Sequence, residues 1–84
     1  MNLIIMANDI ARNMRLEPET YLTLLSDAIS IDDTVTLFRH SIISKEAATG
    51  NLRSMVEKNR LTDPELAEVT RMLVDFALMN LADR

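Results

Sequence analysis

Apolar positions recur at helical spacing along nearly the whole chain, and the places where the pattern breaks divide it into helices. Residues 3–14 set Leu3, Met6, Ala7, Ile10 and Met14 on one side, with Asn8, Asp9, Arg12 and Asn13 mostly opposite. That spacing predicts an amphipathic helix of about three turns. Leu16-Glu17-Pro18-Glu19 ends it and opens the next, because proline disfavours helical geometry in the residue before it yet suits a first helical turn. The second helix is expected to reach about Ile29, with Tyr21, Leu22, Leu25, Ala28 and Ile29 inward. Ser30-Ile31-Asp32-Asp33 resembles a capping sequence and predicts a break or kink. A third helix follows over about 33–43, with Val35, Phe38 and Ile42 inward. Ser44 to Gly50 reads as one capped turn closed by the only glycine, and residues 51–59 as a helix with Leu52, Met55 and Val56 on its apolar edge.

The last stretch, Thr62 to Arg84, predicts a single helix of about five turns. Thr62 followed by Glu65 has the form of a capping box, Pro64 falls in the first turn, and Leu61 is placed to act as the hydrophobic staple. Its first half is two-faced, with Leu66, Val69 and Leu73 on one stripe. From Met72 to Leu81 only Asp75 and Asn80 are polar, so apolar surface wraps most of the way round. Such a helix is expected to be covered on several sides, as the central post of a bundle or the seam of a dimer.

Composition sharpens this picture. Thirty-one of the 84 residues are Leu, Ile, Val, Met or Phe, which is more than a small domain with a poor surface-to-volume ratio hides easily, and association would bury the surplus. With no cysteine there is neither a disulfide nor a thiolate metal site, and a single histidine, His40, is too few for most zinc sites. The net charge of −4 argues against a general nucleic-acid or anionic-membrane binder. Its distribution is uneven: residues 39–60 carry Arg39, Lys45, Arg53, Lys58 and Arg60 against Glu46 and Glu57, a local +3 on a body of −7. The apolar run Leu3 to Ala7 is too short to span a bilayer or to serve as a secretory core, so the expected location is cytoplasmic.

Candidate chemistry is sparse. Asp32 and Asp33 lack the alternating oxygen ligands and the turn glycine of a calcium loop. One glycine cannot build a phosphate-binding loop, and no nucleophile–base pair stands out. Tyr21 reads as a half-buried packing residue and His40 as a surface residue. No catalytic, cofactor-binding or metal site is assigned, and no small-molecule substrate is expected.

In order along the chain, Tyr21-Leu22-Thr23-Leu24, Asp33, Phe38-Arg39, the stretch from Ile43 through Glu46 to Ala47, Met55-Val56, and the helix Leu66 to Leu81 resemble FlhD, a subunit of the bacterial flagellar transcriptional regulator. The resemblance spans about residues 21–81. It implies an all-helical dimer that acts by binding a second protein, FlhC in that family, which supplies most of the DNA contact. This chain departs from the family in having no cysteine and a shorter connection before its last helix.

The expectation is therefore an all-α bundle of four to five helices in one domain, dimeric, with the C-terminal helix central. Its expected role is non-enzymatic regulation through helix-mediated contact with a second protein, without direct DNA contact. Met72, Leu73, Phe76, Leu78, Met79 and Leu81 are the candidate dimer or partner interface. Arg39, Lys45, Arg53, Lys58 and Arg60 are the candidate partner or nucleic-acid face. A small DNA-binding protein using that basic face, or a secretion- or phage-type helical chaperone or inhibitor, are the alternatives.

Overall fold

Four helices account for nearly all of the computed structural model, which describes residues 3–82: α1 (Leu3–Met14), α2 (Pro18–Arg39), α3 (Lys45–Thr62) and α4 (Pro64–Ala82). There is no strand among the described residues. The expected last helix was carried to Arg84; Asp83 and Arg84 lie outside the described residues.

Two expected interruptions do not occur. Residues 30–33 are helical, so the second and third predicted helices are one element of 22 residues that stops at Arg39 rather than Ile43. The Thr34 hydroxyl donates to the Ser30 carbonyl at 2.9 Å, which lets a polar side chain sit inside the helix with its own bond satisfied. Ile31 and Val35 are buried on either side of it, and that burial outweighs the weak local preference of Ser and Asp for a cap. The side facing the core also differs from the expected one. Leu24, Ala28, Ile31 and Val35 point inward, whereas Leu22 and Ile29 are exposed.

α3 likewise runs straight through Gly50. Ser44 is its N-cap, accepting from the Ala47 N–H at 3.1 Å, but Gly50 lies within the helix and does not have positive φ. The capped turn and separate helix expected over residues 44–59 are thereby one continuous element. A Cβ added at Gly50 would meet nothing within 4 Å. Gly50→Ala should thus stabilise the fold by about 0.5–1 kcal/mol by removing backbone freedom from the unfolded chain, seen as a higher urea midpoint with unchanged slope. A turn glycine at that position would give the opposite sign.

The left-handed positions are instead occupied by Arg15 (φ 51°) and Ser41 (φ 60°). Each follows a helix end. The Leu16 N–H returns to the Ala11 carbonyl at 3.2 Å and the Ile42 N–H to the Leu37 carbonyl at 2.9 Å, closing two six-to-one turns that satisfy the last helical carbonyls. At the α3–α4 junction the cap is Asp63, whose Oδ1 accepts from the Leu66 N–H at 3.2 Å. Thr62 belongs to α3 and its hydroxyl donates back to the Asn59 carbonyl. Leu61 is 87% exposed and forms no staple.

The helices pack with α2 and α4 as the shared centre: each touches the other three, while α1 and α3 do not meet. The Tyr21 hydroxyl donates to Asn8 Oδ1 at 2.7 Å and sets the antiparallel register of α1 on α2. α2 and α4 run in the same direction, since Asp27 bonds Thr70 near one end and Arg39 reaches Asn80 near the other. The core is a single cluster built from Leu3 and Ala7 of α1, Leu24 and Ile31 of α2, Leu52 of α3, and Val69, Leu73 and Leu81 of α4, among others. The chain exposes 5392 Å², within about a tenth of the ~5,000 Å² expected for a monomer of this mass. One copy therefore encloses its own core, and the apolar surplus appears as stripes on the outside of a finished fold.

Candidate interaction surfaces

On α4, Leu66, Val69, Leu73, Ala77 and Leu81 recur at three- and four-residue spacing and are buried. Met72, Phe76 and Met79 repeat the same spacing on another side and are 41%, 38% and 67% exposed. Of the six residues expected at an interface, Leu73 and Leu81 belong to the chain's own core, Leu78 is half-buried against it, and Met72, Phe76 and Met79 face solvent. The helix that reads as apolar all round is thus covered on most of its circumference and open along one stripe.

Beside the stripe lies a charged ladder. Arg71 reaches Glu68 one turn back and Asp75 one turn on, at 2.9 Å for the latter. The hydrogen bond and the charge of Arg71 hold the Glu68 carboxyl below its ordinary range, and Glu68 in turn raises Arg71. All three side chains are about half exposed or more, so the ladder keeps this flank solvated and contributes little to stability.

α2 carries a second stripe that sequence periodicity misassigned. Leu22 and Ile29 are 64% and 50% exposed, with half-buried Leu25 between them. Ile4 of α1 is also exposed. One helical turn before Asn8, it lies beside the Leu25 level of α2, given the Tyr21–Asn8 register. The signal was present in the sequence: Leu22-x-x-Leu25-x-x-x-Ile29 and Leu24-x-x-x-Ala28-x-x-Ile31-x-x-x-Val35 are both helical series, and only one can face inward.

The five basic residues do not gather on one surface. Lys45 and Arg53 share a shallow concavity of about 420 Å³ on α3 with Glu46, Thr49 and Gly50. Lys58 lies on a different side of that helix, in the α2–α3 groove with Ser30 and Asp33. Arg60 pairs with Glu57 at 3.3 Å. Arg39, at the end of α2, donates to Asn80 Oδ1 at 3.5 Å. Glu46, Asp33 and Glu57 thus accompany all but Arg39, which weakens the run of positive potential that following a phosphate backbone requires.

A polar network inside the bundle was not read from the sequence. Asn59 Nδ2 donates to Asp27 Oδ2 at 2.7 Å and to Thr70 Oγ1 at 3.0 Å, and the Thr70 hydroxyl donates to the same Asp27 oxygen at 3.3 Å. Asn59 and Thr70 are buried. The network links α2, α3 and α4 and floors a polar groove lined by Glu19, Thr23, Ser26, Lys58 and Asp63. All three residues occupy core-spaced positions, Asn59 seven after Leu52, Thr70 four after Leu66, and Asp27 three after Leu24. A polar residue at such a position needs a partner. Among the described residues no buried side-chain polar atom lacks a hydrogen bond, no group of acids and histidines is arranged to hold a metal ion, and no helix is long and apolar enough to cross a membrane. Compared with known proteins, the chain matches no family model, no curated protein and no solved structure.

Proposed function

We propose that this protein is a non-enzymatic regulatory adaptor that works by helix-to-helix contact with a second protein, in the manner of an FlhD-like transcriptional co-regulator. The observation that carries this reading is the Met72–Phe76–Met79 stripe. It is a line of large apolar side chains at helix-packing spacing, presented by a fold that has closed its core without it. Flexible methionines on either side of an aromatic suit a surface that adapts to a partner's helix, and the Glu68–Arg71–Asp75 ladder supplies a polar rim of the kind that surrounds such contacts.

A photo-crosslinking amino acid placed at Phe76 in the source cell tests it. The expected product is a discrete adduct with one other protein, absent when the same group replaces Leu61, which is more exposed but off the stripe. Adducts only with further copies of the chain, or the same products from both positions, would remove the basis of the adaptor reading.

A further inference from the structure

We propose that the α1–α2 face, not α4, is the seam at which two copies of this chain pair, antiparallel about a two-fold axis near Leu25. The inference deepens the adaptor reading by giving the adaptor its dimer and leaving the α4 stripe for the second protein. Its first support is the shape of the apolar line. Leu22 lies three residues before Leu25 and Ile29 four after it, so turning a second copy end for end about Leu25 sets Leu22 against the copy's Ile29. The same operation brings the two Leu25 side chains together, as a two-fold contact requires.

The second support is charge. Asp33 faces the α3 side of the stripe, in the groove with Asn51 and Lys58; Asp32, the preceding residue, points to the α1 side. Arg12 and Arg15 lie on that same α1 side, at the opposite end of the face, around a hollow with Asn8, Pro18 and Tyr21. Among the described residues none of Asp32, Arg12 and Arg15 has an ion-pair partner within the chain. A two-fold axis across the stripe keeps the flank and reverses the ends, so Asp32 of each copy meets Arg12 and Arg15 of the other. Parallel pairing would exchange the flanks, setting the half-buried Asp32 against Asp33 and leaving only the exposed Glu19 to face Arg12 and Arg15. The other flank opposes Asp33 and Glu19, both exposed, across a solvated edge, where screening makes the repulsion small. Beside the α4 stripe, by contrast, Arg71 is already paired with Glu68 and Asp75 within the chain. In size the face is adequate: α2 has 22 residues and is about 33 Å long, and with α1 alongside it can bury the ~800 Å² per partner of an ordinary stable interface.

Sedimentation equilibrium of the full chain, with charge reversal, tests the proposal. The wild type should be a dimer at about 100 µM, and Leu22→Lys with Ile29→Lys should weaken it by about 100-fold or more while the thermal midpoint of the diluted monomer moves little. Asp32→Lys alone, and Arg12→Glu with Arg15→Glu, should each be largely monomeric; an equimolar mixture of the two should recover dimers, because only the mixed pair restores opposite charges between position 32 and positions 12 and 15 at both ends. A wild-type monomer, a dimer insensitive to Leu22 and Ile29, a dimer dissociated instead by Phe76→Lys, or a mixture that stays monomeric would each overturn the seam. The Phe76 crosslink is read separately, so the adaptor reading can fail with this seam intact, and the seam can fail with the adaptor intact.

Discussion

Ile31→Ala should destabilise the fold by about 2–5 kcal/mol, and Ile29→Ala, two positions away on the same helix, by less than about 1 kcal/mol. Ile31 is fully buried and Ile29 half exposed. The first change therefore loses both the burial of three apolar carbons and the packing around the cavity they leave, whereas the second removes atoms that water already reaches. Against a total of roughly 4–13 kcal/mol expected for a domain this size, the Ile31 variant should be close to unfolding at room temperature. Urea titrations of both variants, at protein concentrations too low for pairing, give the two differences directly. Similar losses would mean that α2 is rotated, with both stripes half-covered, and the outward Leu22–Leu25–Ile29 line would no longer exist as a surface.

That pair of residues also marks where the sequence stops being informative. Helicity was legible nearly everywhere, because Gly and Pro are rare and apolar residues recur at three and four. α1 matched its expected span to the residue, and Pro18 opens α2 as anticipated. The breaks were misread because Ser, Asp, Thr and Gly favour caps and turns only where tertiary burial does not decide otherwise. At Ile31 and Leu52, buried on either side of those signals, it does. Orientation was harder still. A helix with two apolar series has no unique inward face until its neighbours are in place, so periodicity alone puts Leu22 and Ile29 in the core as readily as Leu24 and Ile31. The interface expectation on α4 was divided by the same effect, half of its residues being needed inside. The basic residues fall within one stretch, 39–60, but are separated in space, since α3 is one continuous helix that turns Lys58 away from Lys45 and Arg53.

The largest loss from a single change is expected at the polar network. Asn59→Asp would place a second carboxylate where the amide now donates to Asp27 at 2.7 Å. Two like charges about 3 Å apart repel by roughly 5 kcal/mol at an effective dielectric of about 20, and the two donated bonds are lost as well. A cost of about 3–5 kcal/mol is expected at neutral pH, the range for leaving a buried charge uncompensated. Acidification should recover part of it, because one shared proton turns the clash into a hydrogen bond. Asp27→Asn combined with Asn59→Asp should recover most of the stability at neutral pH, since the pair then has one carboxylate and one amide again with the roles exchanged. Were the double variant as unstable as Asn59→Asp alone, the network would be incidental packing. If the exchange works, the three side chains specify how α2, α3 and α4 are rotated relative to one another. Leu can slide past Leu at little cost, but a buried amide cannot leave its carboxylate. Which residues of α2 and α4 face outward then depends on this network, so a variant that keeps the helices but lets them turn should lose both stripes together.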